Sequence, residues 1–188
     1  MKSSGIKTST VLASFLLAAC LSMHAEVKLP AIFSDGMVMQ QQTNANLWGM
    51  ATPNKKVTVT TGWNGKQYAV TADKNGSWKL SVSTPEAGGP YTITFDDGTP
   101  KTLNNILIGE LWLCSGQSNM EMPMKGFKNQ PVENANMDIL RSKNPHIRLF
   151  TVKRTSTITP QNDVVGSWKE AAPVSVRDFS ATAYYFGR

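Results

Sequence analysis

The chain has 188 residues and a mass of 20.5 kDa, enough for one domain or two small ones. Hydrophobic residues make up 40% and charged residues 17%, a balance that excludes a disordered or collagen-like chain. The net charge is +6, but the basic residues are scattered and form no long run, so we do not expect nucleic-acid binding. Two cysteines, Cys20 and Cys114, are too few for a disulfide framework or a zinc site.

Residues 1–25 predict an export signal. Lys2 and Lys7 give a basic start, residues 11–21 form an apolar run, and Ala25 supplies a small residue at the cleavage site. The run is too short for a membrane-spanning helix, which needs about 20 apolar residues. We therefore expect an exported protein, periplasmic or extracellular, without a membrane span.

A second processing route is open at Cys20. Residues 17–20, Leu-Ala-Ala-Cys, resemble the lipobox of bacterial lipoproteins, in which the cysteine is lipidated and becomes the amino terminus. Only residues 21–25 would then lie between the lipid and the first ordered segment, and they do not form a polar tether. We favour simple cleavage near Ala25 and keep a lipid anchor at Cys20 as the alternative.

Residues 26–105 predict an all-β domain. Four segments alternate apolar and polar residues and are rich in β-branched and aromatic types: 57–61, 68–71, 78–82 and 91–95. Turn signals separate them at 64–65, 75–76, 88–90 and 97–98. Short strands at this spacing favour a β-sandwich of the immunoglobulin-like or jelly-roll type. We expect Trp48 and Trp78 in its core, and Trp63 exposed in a turn.

Residues 106–188 predict the start of an α/β domain with a parallel sheet. Residues 106–114 are nearly continuously apolar, as in a strand buried on both faces. A helical stripe of Val132, Ala135, Ile139 and Leu140 follows, and residues 147–152 predict a second strand, which completes a βαβ unit.

The remainder of this half is short. Residues 163–176 look irregular, and Phe179, Ala183 and Phe186 begin another helical stripe. Because two parallel strands cannot form a sheet of the usual size, we expect the amino-terminal piece of a longer protein, ending at Arg188 in an incomplete domain.

The predicted strand at 106–114 leads into Gly116-Gln117-Ser118-Asn119-Met120. Reactive groups in parallel α/β sheets gather beyond the carboxyl ends of strands, where Ser118 would sit on a sharp turn with its N–H free for an oxyanion. Gly116 would permit close approach and unusual dihedral angles. Met120 replaces the last glycine of the G-x-S-x-G motif, and the pattern alone fits better a serine that bonds its own backbone in a turn.

Residues 113–123, Leu-Cys-Ser-Gly-Gln-Ser-Asn-Met-Glu-Met-Pro, resemble the first block of the sialate O-acetylesterases, within the SGNH (GDSL-like) hydrolase superfamily. Further segments resemble the same family in order along the chain: 29–41, 47–49, 87–91 and 179–188. The resemblance extends from about residue 27 to the end, which makes it far more specific than one serine turn.

This resemblance implies a serine esterase that removes O-acetyl groups from sialic acids. Ser118 would attack the acetyl carbonyl, form an acetyl-enzyme and be regenerated by water, while its N–H donates to the oxyanion. Gly116, Gln117 and Asn119 would support the turn. Gln117 stands where many members of the superfamily carry aspartate, and the family's oxyanion asparagine belongs to a later segment, so Asn119 does not take that role.

The histidine that should activate Ser118 is missing from these residues. His24 lies in the signal, and His146 precedes its strand, at the opposite end of the predicted sheet from Ser118. A six-residue strand spans about 20 Å, whereas a general base must lie within about 3 Å. The family's later blocks, including the terminal Asp-x-x-His, are also absent. We therefore expect these 188 residues alone to hydrolyse acetyl esters little or not at all.

Two alternatives stay open. Within the esterases, the nucleophile block does not define the sugar, so deacetylation of plant or other polysaccharides is a second reading. In a different class, the chain would be a non-catalytic carbohydrate-binding or interaction module. No cofactor and no metal are predicted, because the chain carries no glycine-rich phosphate loop after a strand and no metal-ligand spacing.

Overall fold

The computed structural model describes residues 26–188. The predicted signal, with the alternative lipid site at Cys20 and with His24, lies outside the described residues. The part of the chain that is described forms these elements in order: β1 (Val38–Gln40), β2 (Asn44–Met50), β3 (Lys56–Thr61), β4 (Gln67–Thr71), β5 (Ser77–Ser83), β6 (Gly88–Asp96), β7 (Lys101–Gly109), α1 (Ser118–Glu121), α2 (Ala135–Leu140), β8 (Asn144–Phe150), β9 (Trp168–Ala171), α3 (Pro173–Val176) and α4 (Ala181–Gly187). The chain is therefore a mixed α and β protein with short helices.

The first half consists of two sheets that share one core. Five strands form a sheet in the order β1-β7-β6-β3-β4, in which only β1 and β7 run parallel, and β2 pairs with β5 as an antiparallel ribbon. Alternate residues of each strand face inward, which is the geometric consequence of the strand period of two. The shared core includes Leu47, Val57, Val59, Trp78, Val82, Ile93, Phe95 and Ile106.

The four alternating segments of the sequence lie in β3, β4, β5 and β6. Trp78 is 2% exposed, as predicted for a core residue, and Trp48 packs against the same core. Trp63 is half-buried rather than exposed, and its indole N–H donates to the carbonyl of Ser83 at 3.1 Å. The predicted turn at 88–90 is wrong, because these residues begin β6 and Gly88 pairs with Ile108. The immunoglobulin-like or jelly-roll type stays a prediction.

The predicted doubly buried strand at 106–114 is found only in its first part, where the successive residues Ile106, Leu107 and Ile108 of β7 are all buried, and is wrong for residues 110–114. Strand β7 starts earlier and ends at Gly109, and its last apolar residues complete the first core. Beyond it, Trp112 is 60% and Leu113 is 93% exposed. A strand can be buried on both faces only when it has neighbouring strands and layers that cover it. Within residues 26–188, no strand pairs with residues 110–114.

The second half has its own small core around Met124, Ile139, Leu149, Val176 and Tyr184. Strand β8 confirms a strand near 147–152, but it pairs antiparallel with β9, so the predicted parallel unit does not form among the described residues. Both β9 and α3 lie in the stretch predicted to be irregular. Each is four residues long, too short for a periodic pattern to show.

The two halves meet at the guanidinium of Arg148, a side chain that is only 4% exposed. Its acceptors in the first half are the Gly36 carbonyl, at 3.4 Å, and Asn105 Oδ1, at 3.0 Å. In the second half, its nitrogens reach the Pro145 carbonyl at 2.9 Å and Glu170 Oε1 at 3.3 Å. A buried charge is tolerated when its donors are satisfied, and here the acceptors come from both cores.

Two neighbouring features keep this junction close-packed. Gly36 has a φ of +79°, which glycine adopts without strain. A Cβ at this position would lie 3.1 Å from Arg148 Nη1, so glycine also lets the guanidinium come close to the backbone. Trp168 of β9 donates its indole N–H to the Ile32 carbonyl at 2.8 Å and packs against Phe150. The second half is thereby fixed against the loop that precedes β1.

We predict that Arg148→Met lowers the free energy of unfolding by about 2–4 kcal/mol, because methionine keeps the apolar stem but loses several charge-assisted hydrogen bonds. Denaturant unfolding of the purified chain measures the change. Arg141→Met is the matched control, since Arg141 is an exposed arginine at the carboxyl-terminal cap of α2. Equal stability of the two variants would contradict the assignment.

Candidate active site

Ser118 is the first residue of α1, a single helical turn that follows the unpaired segment 110–117. The turn closes because the Gln117 carbonyl accepts from the N–H groups of Met120 at 2.9 Å and Glu121 at 3.0 Å. The side chain of Ser118 is exposed, as are those of Gln117 and Asn119. The N–H of the first helical residue has no acceptor within its helix, so that of Ser118 is left without an intrahelical partner.

Gly116 is needed here for space. A Cβ on it would lie 3.2 Å from the Cβ of Met120, closer than ordinary van der Waals contact. Its φ is outside the left-handed region, so the unusual dihedral angles expected at this position are not found. The close approach expected at Gly116 is found, and it allows the chain to fold tightly onto the start of α1.

The serine turn is held from outside by the segment that enters α4. Thr182 Oγ1 donates to the Asn119 carbonyl at 3.1 Å, and the N–H of Ala181 donates to the Met122 carbonyl at 2.8 Å. Ser180 caps α4 by accepting from the Ala183 N–H at 3.3 Å, and its hydroxyl also contacts Met120 Sδ. These contacts to the residues around Ser118 hold the turn in place without involving the serine hydroxyl.

Helix α4 is in turn anchored to α2 through Asp138. Tyr185 donates its hydroxyl to Asp138 Oδ2 at 2.7 Å, and Arg188 Nη1 pairs with Oδ1 at 2.9 Å. Burial, and then the hydrogen bond to Asp138, raise the pKa of Tyr185 to about 12. The hydrogen bonds from Arg188 and Tyr185 lower the pKa of Asp138. Sequence reasoning missed this cluster, because no local pattern connects residues 47 positions apart.

We predict that Tyr185 ionises near pH 12 instead of at its ordinary pKa of 10.0. A raised pKa favours the protonated phenol in the folded state, so its stabilising effect is complete below pH 10 and is lost as the pH rises from 10 to 12. Asp138→Asn should lower the pKa of Tyr185, measured by the ultraviolet absorbance of the phenolate. Tyr185→Phe removes the absorbance change of Tyr185 and so separates it from those of the other three tyrosines. An unchanged titration curve in Asp138→Asn would contradict this account.

A loop between β8 and β9 borders the serine turn. Arg154 Nη1 pairs with Oε1 of Glu121 at 2.7 Å, and Glu121 lies one helical turn after Ser118. The N–H of Lys153 donates to the Val165 carbonyl at 2.8 Å, which closes the base of the loop. Farther along, Asp163 Oδ1 accepts from the N–H of Ala31 at 2.7 Å. The loop therefore contacts both the serine turn and the first half.

The described residues bring no imidazole to Ser118. His146 is exposed on β8, and its backbone N–H donates to Asn144 Oδ1, with no hydrogen bond to Ser118. Within residues 26–188, no group of three His, Cys, Asp or Glu side chains is arranged to hold a metal ion, and Cys114 is a free thiol. No helix in this part of the chain has the length and apolarity to cross a membrane.

Comparison with known proteins finds related esterases. No family model matches the chain. The sialate O-acetylesterase of Mus musculus is 30% identical over 194 aligned residues, which cover 92% of this chain, and that of Pongo abelii is 27% identical over 179. The chain is thus related to the sialate O-acetylesterases over most of its own length.

Structural similarity agrees with this relationship. A carbohydrate acetylesterase from Xanthomonas citri superposes with a TM-score of 0.78 and 31% identity over 86% of this chain. The chain spans about a third of the length of its relatives, 35% of the Mus musculus sialate O-acetylesterase and 36% of the Xanthomonas citri chain. The family resemblance seen in the sequence is confirmed, whereas the roles of Gly116, Gln117, Ser118 and Asn119 stay predictions.

Proposed function

We propose that Ser118 is the nucleophile of a serine esterase that removes O-acetyl groups from carbohydrates, and from sialic acids in particular. One observation carries the proposal: an exposed serine at the first residue of a one-turn helix, in a chain whose relatives are sialate O-acetylesterases. Exposure supports access for an acetylated sugar, and a buried hydroxyl would not have been compatible with this role.

The proposed chemistry has two steps. Ser118 Oγ attacks the acetyl carbonyl carbon while a histidine takes the serine proton, and that proton then goes to the departing sugar oxygen. Water hydrolyses the acetyl-enzyme to acetate and regenerates the serine. The backbone N–H of Ser118 donates to the oxyanion in both steps, and Gly116 keeps the turn compact beside it.

We further propose that the 188 residues alone are a poor catalyst. Ser118 has no histidine partner in the described part of the chain, and an unassisted hydroxyl is scarcely ionised at neutral pH. The exposed apolar segment before the serine supports the same conclusion, because Trp112 and Leu113 do not provide the enclosed surroundings that strengthen electrostatic catalysis.

We predict that the 188-residue chain and its Ser118→Ala variant hydrolyse an aryl acetate at the same low rate. The measurement is the release of the aryl alcohol at equal protein concentrations. A rate that depends strongly on Ser118 would show that the chain is catalytically complete, and it would overturn the proposed inactivity while supporting the proposed nucleophile.

The nucleophile itself is tested in the protein expressed from its whole reading frame. A fluorophosphonate probe should label Ser118, and Ser118→Ala should abolish the label and lower the rate by a factor on the order of 10⁶. Ser115→Ala is the matched control, since Ser115 is also exposed and only three residues away. Labelling that persists in Ser118→Ala would refute the assignment.

Three finer statements complete the proposal: the substrate, the domain boundaries and the location. The Xanthomonas citri neighbour is described as a carbohydrate acetylesterase, which keeps deacetylation of other polysaccharides as a second candidate. We propose that residues 26–105 are a sandwich module and 106–188 part of a hydrolase domain, a division that the two separate cores support, although β7 continues through Gly109. The proposed location is the periplasm or the cell exterior.

A further inference from the structure

We propose that Arg154 binds the carboxylate of an acidic sugar and so determines whether the site prefers sialic acids or neutral acetylated sugars. This inference rests on the proposed esterase function of Ser118. Relatives of the chain include sialate O-acetylesterases and a protein described only as a carbohydrate acetylesterase, so the family relationship alone does not decide the charge of the substrate.

Arg154 contacts α1, the helical turn that begins with Ser118, through its ion pair with Glu121. Glu121 is the third residue after Ser118 on α1, and residues at this spacing share one face of a helix. Helical side chains also lean toward the amino-terminal end of their helix, which is the end that carries Ser118. The carboxylate of Glu121 therefore brings the guanidinium to the rim of the serine turn, with Arg154 Nη1 2.7 Å from Oε1.

The guanidinium keeps free the donors that recognition needs. Its bond to Glu121 uses Nη1 alone, and Nε and Nη2 have no partner within residues 26–188. Nε–H and Nη2–H lie on one edge of the planar group and point in the same direction. This edge matches the two oxygens of a carboxylate, the pairing in which arginine is most selective.

The ion pair between Arg154 and Glu121 contributes little to the stability of the fold. The Arg154 side chain is 84% exposed, and a pair this exposed adds almost nothing to stability. Its orientation nevertheless restricts a long side chain before any ligand arrives, which reduces the entropy lost on binding. The backbone bond from Lys153 to Val165 fixes the base of the loop that carries Arg154.

Nearby charge sets how selective the site can be. Glu121 already neutralises part of the positive charge, so a ligand carboxylate gains most when it engages both free donors at once. A neutral sugar cannot use this edge in the same way, because hydroxyl groups form weaker bonds to a guanidinium than a carboxylate does. The arrangement therefore favours a ligand with a carboxylate near its acetylated position.

Binding of N-acetylneuraminic acid and of its methyl ester to the purified chain tests the proposal, with dissociation constants measured by NMR titration. The two ligands share every group except the carboxylate, which is charged in the acid and is capped as a neutral methyl ester in the other ligand. We expect the acid to bind about tenfold more tightly than the ester, and Arg154→Gln to remove this preference. Arg141→Gln, which changes an exposed arginine on α2, should keep it.

Three outcomes would overturn the proposal: equal binding of acid and ester, a preference that survives in Arg154→Gln, or no saturable binding of either ligand. The readout needs no turnover, so it is separate from the proposed catalytic role of Ser118. Failure of fluorophosphonate labelling would reject the esterase and leave the binding result decisive for Arg154.

Discussion

The buried guanidinium of Arg148 sets the relation between the two cores. Its acceptors belong to both halves, and a charge with 4% exposure is stable there only while all of them stay in place. The indole hydrogen bond of Trp168 reinforces the same junction. Arg148 lies in β8, and the loop with Arg154 follows that strand, so this side chain also fixes where the border of the serine turn begins. Contacts of Arg148, Trp168 and Asp163 thus connect the first half to the strand and loop that border the serine turn.

Ser118 is positioned by backbone hydrogen bonds and by contacts of neighbouring residues, and not by its hydroxyl. The segment around Met122 is bonded to the start of α4, α4 is tied to α2 through Asp138, and the hydroxyl of the serine takes no part in either. A one-turn helix has little intrinsic stability, because nucleation costs more than one turn recovers. The separation between support and reacting group explains how such a short element can present a side chain in a defined place while leaving it open to solvent.

Sequence periodicity predicted the strands β3 to β6, because one face of each is buried and the alternation is visible. It failed at residues 110–114, where apolar side chains are exposed, because apolar composition alone does not show whether a partner strand exists. The Asp138–Tyr185 contact and the Glu121–Arg154 pair join distant positions and leave no local signal. Ser118 was singled out by family resemblance, since the turn by itself favoured an ordinary structural serine.

The loop that begins at Lys153 has consequences for how this scaffold can diversify. It is bonded at its base and again at Asp163, whereas Thr157, Thr159 and Gln161 between these points bond mainly to one another. Residues inserted between 157 and 161 would lengthen the loop without moving its hydrogen bonds at Lys153 or Asp163. The entropic cost of closing a longer loop grows only slowly with its length. A change in the length of this loop is therefore compatible with unchanged packing of both cores.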